Sequence, residues 1–354
     1  MVRCLTLADE LKAGGAACHF VTRAQRGDLS ATVQQRGHTL HLLPAVDTSG
    51  NTRHLREEAT QATEPYHASW LLGGWEHDAE QSRAIISDLN PDWLIIDHYG
   101  IDQRWEFTLA ESYKRLMIID DLADRDHVCD ALLDQNWFGA ETTTRYDGKI
   151  PTAATRFLGP SYSLLNPDYR ILRSLMPPRD GIISRALLFM GGSDPENETE
   201  KALKALSTPP LSQLVVDIVL GPNHPDKPGI QRLAKIRTRC TVHQSLPSLA
   251  GLMAKADLMV GAGGATTWER MCLGLPSLVI SIAANQTPTN EALREAGYIA
   301  FLGESANVSQ EDIARAICNA QANPESMRAQ SQRACALVPG DGAAKIASFL
   351  ARNH

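Results

Sequence analysis

One stretch of this chain, residues 256–276, constrains the fold more than any other. An apolar run, Ala256-Asp257-Leu258-Met259-Val260, leads to a glycine pair, Gly263-Gly264, and then directly into a helical pattern, Ala265-Thr266-Thr267-Trp268-Glu269-Arg270. Two glycines let a strand reverse sharply and let backbone N–H groups come close to a ligand. The helix that follows presents unpaired amides and its positive dipole end at the same spot, which favours an anion there. Gly264, Ala265 and Thr266 are therefore the expected anion contacts. Glu269, inside the first turns of the helix, is placed to hold hydroxyls such as those of a ribose. A glycine pair alone is most often only a turn, so the weight of this reading depends on its context.

That context repeats. Arg185-Ala186-Leu187-Leu188-Phe189-Met190 ends in Gly191-Gly192-Ser193-Asp194, and a helical pattern runs from Glu198 to Leu206. Two strand–Gly-Gly–helix units predict a doubly wound domain whose ligand lies outside the carboxyl ends of its strands. Neither pair leads into Gly-Lys-Ser or Gly-Lys-Thr, and neither shows Gly-x-Gly-x-x-Gly spacing. A P-loop and a nicotinamide or flavin cofactor are thus not expected, and no cofactor is assigned.

The length, 354 residues, suits two domains. With 34 basic and 41 acidic residues the net charge is −7, which argues against a general nucleic-acid binder. The seven cysteines include no C-x-x-C pair, and Cys4, Cys18, Cys129, Cys240 and Cys272 sit in apolar surroundings, as thiols of a reducing compartment do. No uninterrupted apolar run approaches the ~20 residues that cross a bilayer, and no signal-peptide layout is present. A soluble cytoplasmic protein with no membrane partner is expected.

Along the chain, Val2 to Lys12 reads as a helix stopped by Gly14-Gly15. Strands are predicted at Ala17 to Val21, His38 to Leu43, Trp93 to Asp97, Leu116 to Asp120 and Ala131 to Leu133. Such near-continuous apolar strands, alternating with helices, mean a parallel sheet covered on both faces. The proline-bearing stretch from Thr152 to Pro178 reads as inter-domain. The expected domains are 1–165, 166–325 and a helical segment 326–354 that packs back on the first. Opening on a helix is unusual for an α/β domain of this kind, which normally begins with a central strand.

Several constellations carry chemistry. Ile95-Ile96-Asp97-His98-Tyr99-Gly100 places polar side chains at a buried strand's end, where Tyr99 could bond a sugar or phosphate and Asp97 could orient a base. Asp120-Asp121-Leu122-Ala123-Asp124-Arg125-Asp126-His127 has the residue types of a divalent-metal site but not the spacing. It reads as a solvated strand-end loop, and no metal is assigned. Asn285 and Gln286 follow the apolar run Leu275 to Ile282, where amides can donate to sugar hydroxyls without adding charge; a helix cap or turn before Pro288 is the alternative. His19, His38, His41 and His243 lie in strand-like patterns and read as structural, and Cys272 has no neighbouring base to activate it.

Taken in order, these motifs resemble a family, the UDP-sugar hydrolases of pseudaminic acid biosynthesis, which cleave UDP from UDP-2,4-diacetamido-2,4,6-trideoxy-β-L-altropyranose. The resemblance runs over almost the whole chain. It rests on Arg3-Cys4-Leu5-Thr6-Leu7-Ala8, Ile96 to Gly100, Asp120-Asp121 with His127, Cys129, Asp130 and Asn136, Met190 to Asp194, Gly263 to Glu269, and Asn285-Gln286. It implies an α/β fold of two Rossmann-like doubly wound domains (GT-B type) with a cleft between them. It also implies inverting, metal-independent attack of water at the anomeric carbon. UDP would be held mainly by the second domain, through Gly191, Gly192, Ser193, Asn197, Gly264, Ala265, Thr266, Glu269 and Gln286. Arg3, Asp97, Tyr99 and Asn285 would serve the sugar and water face, with Tyr99 and Asn285 as catalytic residues. Such hydrolysis needs a base or water-positioner on one face and stabilisation of the departing diphosphate on the other.

In that family a Gly-x-Gly-His loop joins the first strand to the first helix. Its histidine would fall immediately before Met1. The catalytic histidine and the first strand are therefore expected to lie outside this sequence, through a start assigned too far downstream or a true truncation. On that expectation the chain alone hydrolyses poorly and is unstable. Two other readings stay open: a GT-B glycosyltransferase acting on a UDP-amino-sugar, told apart by its products, and a non-catalytic nucleotide-sugar binder.

Overall fold

The computed structural model describes residues 1–25, 28–46, 64–244 and 246–353. The chain divides into two compact units, one formed by 1–136, 141–164 and 342–354, the other by 137–140 and 165–341.

Unit 1 runs α1 (Val2–Ala13), β1 (His19–Arg23), α2 (Ser30–Gln35), β2 (Thr39–Leu43), α3 (Trp75–Leu89), β3 (Trp93–Ile96), α4 (Gln103–Thr108), β4 (Arg115–Ile119), β5 (Ala131–Asp134) and β6 (Thr155–Leu158). Its strands are parallel but fall into two ladders, β1–β2 and β3–β4–β5–β6. The predicted strands all form, with shifts of one or two residues at their ends. The strand β6 was hidden inside the proline-bearing stretch, where its four residues carry too little pattern to stand out.

Helices cover both faces of the four-stranded ladder, as a parallel sheet requires. On one face Ala79, Ile86, Trp105 and Leu109 of α3 and α4 pack with Ile96, Leu116, Ile118 and Leu132. On the other, Leu7 of α1 packs with Met117, Ile119, Ala131 and Leu133, together with Ala343, Ile346, Ala347 and Leu350 from residues 342–352. Burial is uneven along the sheet. All four residues of β5 are buried, whereas of the equally apolar β3 only Ile96 is.

Unit 2 contains α5 (Pro167–Leu175), β7 (Arg185–Phe189), α6 (Glu198–Leu206), β8 (Val215–Leu220), α7 (Lys227–Ile236), β9 (Cys240–Gln244), α8 (Ala250–Lys255), β10 (Leu258–Ala262), α9 (Thr266–Cys272), β11 (Ser277–Ser281), α10 (Thr287–Glu295), β12 (Ala300–Glu304), α11 (Gln310–Ala322) and α12 (Pro324–Leu337). One parallel sheet joins all six of its strands in the order β12-β11-β10-β7-β8-β9. The helices α6, α7 and α11 bury Leu203, Ile230 and Ile313 against one face; α8, α9 and α12 bury Met253, Trp268, Met271 and Ala334 against the other.

The closing helix α13 (Gly342–Arg352) belongs to unit 1 while α12 belongs to unit 2. The end of the chain is therefore not one segment packing back from 326: the crossing falls at 341–342. By length and composition 324–352 would suffice to span a membrane, but it breaks between Leu337 and Gly342, and Met327, Ile346 and Leu350 lie in the two cores. Most of the polar stretch 47–79 lies outside the described residues; its last part forms a turn at Ala68–Trp70 and the start of α3.

Candidate functional site

The sheet order of unit 2 fixes where a ligand can sit. From β7 the chain winds through β8 to β9 on one side, then returns to lay β10, β11 and β12 on the other. The strand order thus reverses between β7 and β10, and ligands of doubly wound sheets bind outside the strand ends at such a point. Gly191-Gly192 follows β7 and Gly263-Gly264 follows β10. The two turns singled out in the sequence flank the switch point.

The two turns use glycine differently, the first through a positive φ at Gly191 and a close neighbour at Gly221, the second through close approach at Gly263. Gly191 adopts φ +93°, and the carbonyl oxygens of Gly191 and Gly192 lie so near Gly221 that a Cβ there would stand 2.5 and 2.2 Å from them. At Gly263 a Cβ would stand 1.9 Å from Asn290 Nδ2. Asn290, fully buried on α10, donates to Ser281 Oγ at 3.0 Å and so packs the β11 end against this turn. Gln286 joins the same group: its Oε1 accepts from the Ile282 N–H at 3.1 Å, and its Nε2 lies 3.8 Å from where a Gly264 Cβ would stand.

The two helix starts differ. At α6 the buried Asp194 carboxylate accepts from the N–H groups of Glu198 and Thr199, at 2.8 and 2.9 Å, and His224 Nε2 stands 3.4 Å from it. Those amides are committed to the protein's own anion, so the start of α6 is not an open anion site. Among the described residues no side chain caps α9. Its start, with Ala265 and Thr266, keeps the anion-favouring character of an uncapped helix end.

Glu269 lies one turn into α9, beside Tyr169 of α5. Burial raises the Glu269 pKa, while the Tyr169 hydroxyl and neighbouring Arg270 pull the other way. Arg270 is fully buried, donates to Ala262 O at 2.9 Å and Thr267 Oγ1 at 2.8 Å, and burial brings its pKa down to about 9, with Glu269 opposing. A cleft of about 320 Å³ between α5 and α8, lined by Asp168, Ile171, Leu172, Ser248, Ala250 and Gly251, opens beside this group. Among the remaining expected residues, Ser193 and Asn285 are exposed on their turns, and Asn197 Nδ2 is turned to Glu200 at 2.7 Å. Asn197 therefore serves its own helix start in this structure.

Unit 1 gathers its expected residues at the carboxyl ends of β3 and β4. Arg3, in the first turn of α1, donates to both Asp97 oxygens (Nη2 to Oδ1 at 2.7 Å, Nε to Oδ2 at 3.1 Å) and to both Asp121 oxygens (Nη1 at 2.9 and 2.8 Å). Tyr99 Oη donates to Asp121 at 2.6 Å. A single guanidinium clamping two carboxylates is the geometry its planar fork suits best. Burial works against the charged form of Asp97, but the Arg3 hydrogen bonds and charge prevail and hold its pKa well below the usual carboxylate range. Burial and then the Asp121 charge push the Tyr99 phenol upward, so it stays protonated and donating.

The acidic loop after β4 is only partly solvated, contrary to expectation: Asp124 and Asp126 are exposed, but Asp120, Arg125 and His127 are buried. Asp120 is fully buried, accepts from Ala123 N–H at 2.8 Å and Tyr146 Oη at 2.9 Å, and pairs with Arg125 at 2.8 Å. His127 Nδ1 lies 2.6 Å from Glu106 Oε1, both buried. Buried carboxylates demand partners, and the loop folds inward to provide them. Asp134, at the end of β5, bonds Arg145 at 2.6 Å and Tyr146 at 3.2 Å. Burial, with Asp121 nearby, raises its pKa to about 7.

No protein-family profile matches the chain. It is 26% identical over 210 residues to an uncharacterised protein of Methanocaldococcus jannaschii, MJ1062, covering 55% of this chain and 41% of that protein. It is 28% identical over 156 residues to the spore coat polysaccharide biosynthesis protein SpsG of Bacillus subtilis, covering 44% and 46%. The chain thus spans less than half the length of these two relatives. It is 24% identical over 216 residues to the UDP-2,4-diacetamido-2,4,6-trideoxy-β-L-altropyranose hydrolase of Campylobacter jejuni, covering 60% of this chain and 75% of that one. The resemblance drawn from the motifs is borne out by this match, over 60% of the chain and not over almost all of it.

Among solved structures, MurG of Acinetobacter baumannii aligns with a TM-score of 0.66 at 11% identity, over 99% of this chain and 95% of that one. The calicheamicin glycosyltransferase CalG4 aligns at 0.64 and 15%, over 100% and 94%. Arabidopsis thaliana UGT89C1, complexed with UDP, aligns at 0.64 and 12%, over 99% and 95%. These likenesses establish the fold: two Rossmann-like α/β units of the GT-B glycosyltransferase type.

Proposed function

We propose that the protein acts on a UDP-linked sugar and releases UDP by hydrolysis. The substrate is UDP-2,4-diacetamido-2,4,6-trideoxy-β-L-altropyranose, and water attacks C1 with inversion, as a step of pseudaminic acid biosynthesis. The observation that carries the nucleotide half is the pair of glycine turns flanking the switch point of unit 2, one of them opening an uncapped helix. The similarity to the Campylobacter hydrolase supports the sugar and the reaction.

In this reading the backbone around Gly264, Ala265 and Thr266 stabilises the departing diphosphate, where negative charge develops. Glu269, steadied by Tyr169, holds the ribose, and Gln286 keeps the β11 turn beside the phosphates. Tyr99 and Asn285 serve the sugar and the attacking water. Tyr99 donates to Asp121 and cannot itself be the base, because burial and that carboxylate hold its proton. No metal step is assigned: Asp120 and His127, the residue types that could hold one, are bonded to Arg125 and Glu106.

The test is UDP release from the UDP-linked sugar, with product analysis. Free sugar formed without an acceptor supports hydrolysis. Sugar transfer only when an acceptor is supplied would establish a glycosyltransferase. UDP binding without turnover, persisting in an N-terminally extended chain, would establish a nucleotide-sugar binder.

A further inference from the structure

Beside the Arg3–Asp97–Asp121 cluster of unit 1 lies a group of rings that the fold holds in place without burying. Residues 64–74 cross the loop after β3. Leu71 is buried in the core of α3, α4 and β3, and the carbonyl oxygen of His67 lies only 2.8 Å from where a Gly100 Cβ would stand. Gly100 is thus what lets this segment settle on the strand-end loop, and it follows directly on Tyr99. Fixed at these points, the segment presents its aromatic side chains. His67 lies 4.6 Å from Trp70 and 5.6 Å from Tyr99, centroid to centroid, and Trp70 lies 5.8 Å from Tyr99. Tyr66 meets His67 edge-on at 4.9 Å.

Yet Trp70 remains 53% exposed and Tyr66 87% exposed. Large rings that pack on a rigid support but keep open faces leave apolar area in water, and a contiguous patch of this kind marks a binding surface more often than a solvated one. The patch is joined to polar groups in one step: the Tyr99 ring packs on Trp70 while its hydroxyl bonds Asp121, which Arg3 clamps to Asp97. Asp97 and Asp121 each keep a small exposed fraction, 12% and 15%. Flat apolar surface bordered by charged acceptors and a phenol is the chemistry that recognises a pyranose, with axial C–H bonds laid on a ring and hydroxyl or amide N–H groups donated to carboxylates.

We propose that Trp70, supported by His67 and Tyr99, is a stacking surface for an N-acylated pyranose, and that Asp97 and Asp121 accept from that sugar's hydroxyl or acetamido N–H groups. This deepens the nucleotide-sugar reading and rests on it for the identity of the sugar. It assigns Trp70 as a specificity residue that touches the substrate and takes no part in bond breaking.

The experiment follows binding of two probes to the full chain, its Trp70→Ala variant and its Trp70→Phe variant. The probes are the free 2,4-diacetamido-2,4,6-trideoxy sugar, by saturation-transfer NMR, and UDP, by calorimetry. Loss of one ring stack is expected to weaken the sugar about tenfold in W70A, with most of that affinity restored in W70F. UDP affinity should stay within about twofold in all three chains, a margin near RT. Sugar binding that is unchanged in W70A overturns the proposal, and so does wild-type protein that shows no saturation transfer from its aromatic protons. If the sugar behaves as expected but UDP does not bind, the stacking surface stands and the nucleotide reading falls. Because Trp70 is half exposed and its neighbours pack without it, the alanine variant is expected to keep the wild-type melting midpoint.

Discussion

The two units wind their chains in the same sense but finish the job differently. Unit 2 passes from β7 through α6, β8, α7 and β9 to one edge, returns through α8 to β10, and goes on to β12; β7 carries a ladder on each side. Unit 1 passes through α1, β1, α2 and β2, returns through α3 to β3, and goes on to β6. Among the described residues β1 and β3 share no ladder, so unit 1 has two sheets where unit 2 has one. Burial records the difference. The middle of β7 is fully buried, whereas Trp93, Leu94 and Ile95 of β3 keep exposed area despite equally apolar sequence. Winding order is thus set by successive helix–strand pairs, while full burial of a strand depends on having neighbours on both sides.

The largest effect expected, and the sharpest way to break this comparison, is local to unit 2. Gly263→Ala would drive a methyl into Asn290 and is expected to cost about 1–3 kcal/mol in urea unfolding and to abolish UDP binding by calorimetry. Gly192→Ala, where no atom lies within 4 Å of the added carbon, should cost well under that.

In unit 1 the strand ends crowd carboxylates instead of glycines, so its stability should respond to pH. Asp134 holds its proton up to about pH 7 when folded, against the usual ~4 when unfolded. The folded state therefore binds more protons between those values, and stability falls as pH rises from about 4 to 7, then levels off. Denaturant unfolding across that window should show a loss on the order of 2 kcal/mol that Asp134→Asn flattens.

The smallest effect expected is at α6. Asp194→Ala removes two amide bonds and should cost about 1 kcal/mol by thermal unfolding, while UDP affinity changes little because those amides were never free.

How much of this could be read from the sequence depends on distance along the chain. The strands β3, β4, β7, β10 and β11 and the two glycine turns were legible because apolar runs and Gly-Gly are local signals. The Asp194 cap had a usable signal too, an aspartate four residues before a helical pattern, which the anion reading of the turn obscured. Asn290 against Gly263, Tyr169 against Glu269 and Arg3 against Asp121 left no such trace. Each joins residues 27 to 118 positions apart, and only the strand order brings them together. The inward fold of Asp120 and His127 has a related cause: Arg125 lies inside the same acidic run, and Glu106 stands 21 positions before His127, on α4.

The helix α13 gives the molecule an order of assembly opposite to its order of synthesis. Ala343, Ile346, Ala347 and Leu350 complete a core whose earlier members, from Leu7 to Leu164, leave the ribosome long before them. All of 165–341, which builds unit 2, emerges in between. At ~5–20 residues per second that interval is roughly 10–40 s. The half of the protein made first must wait, part-formed and with an open apolar face, until the last residues arrive.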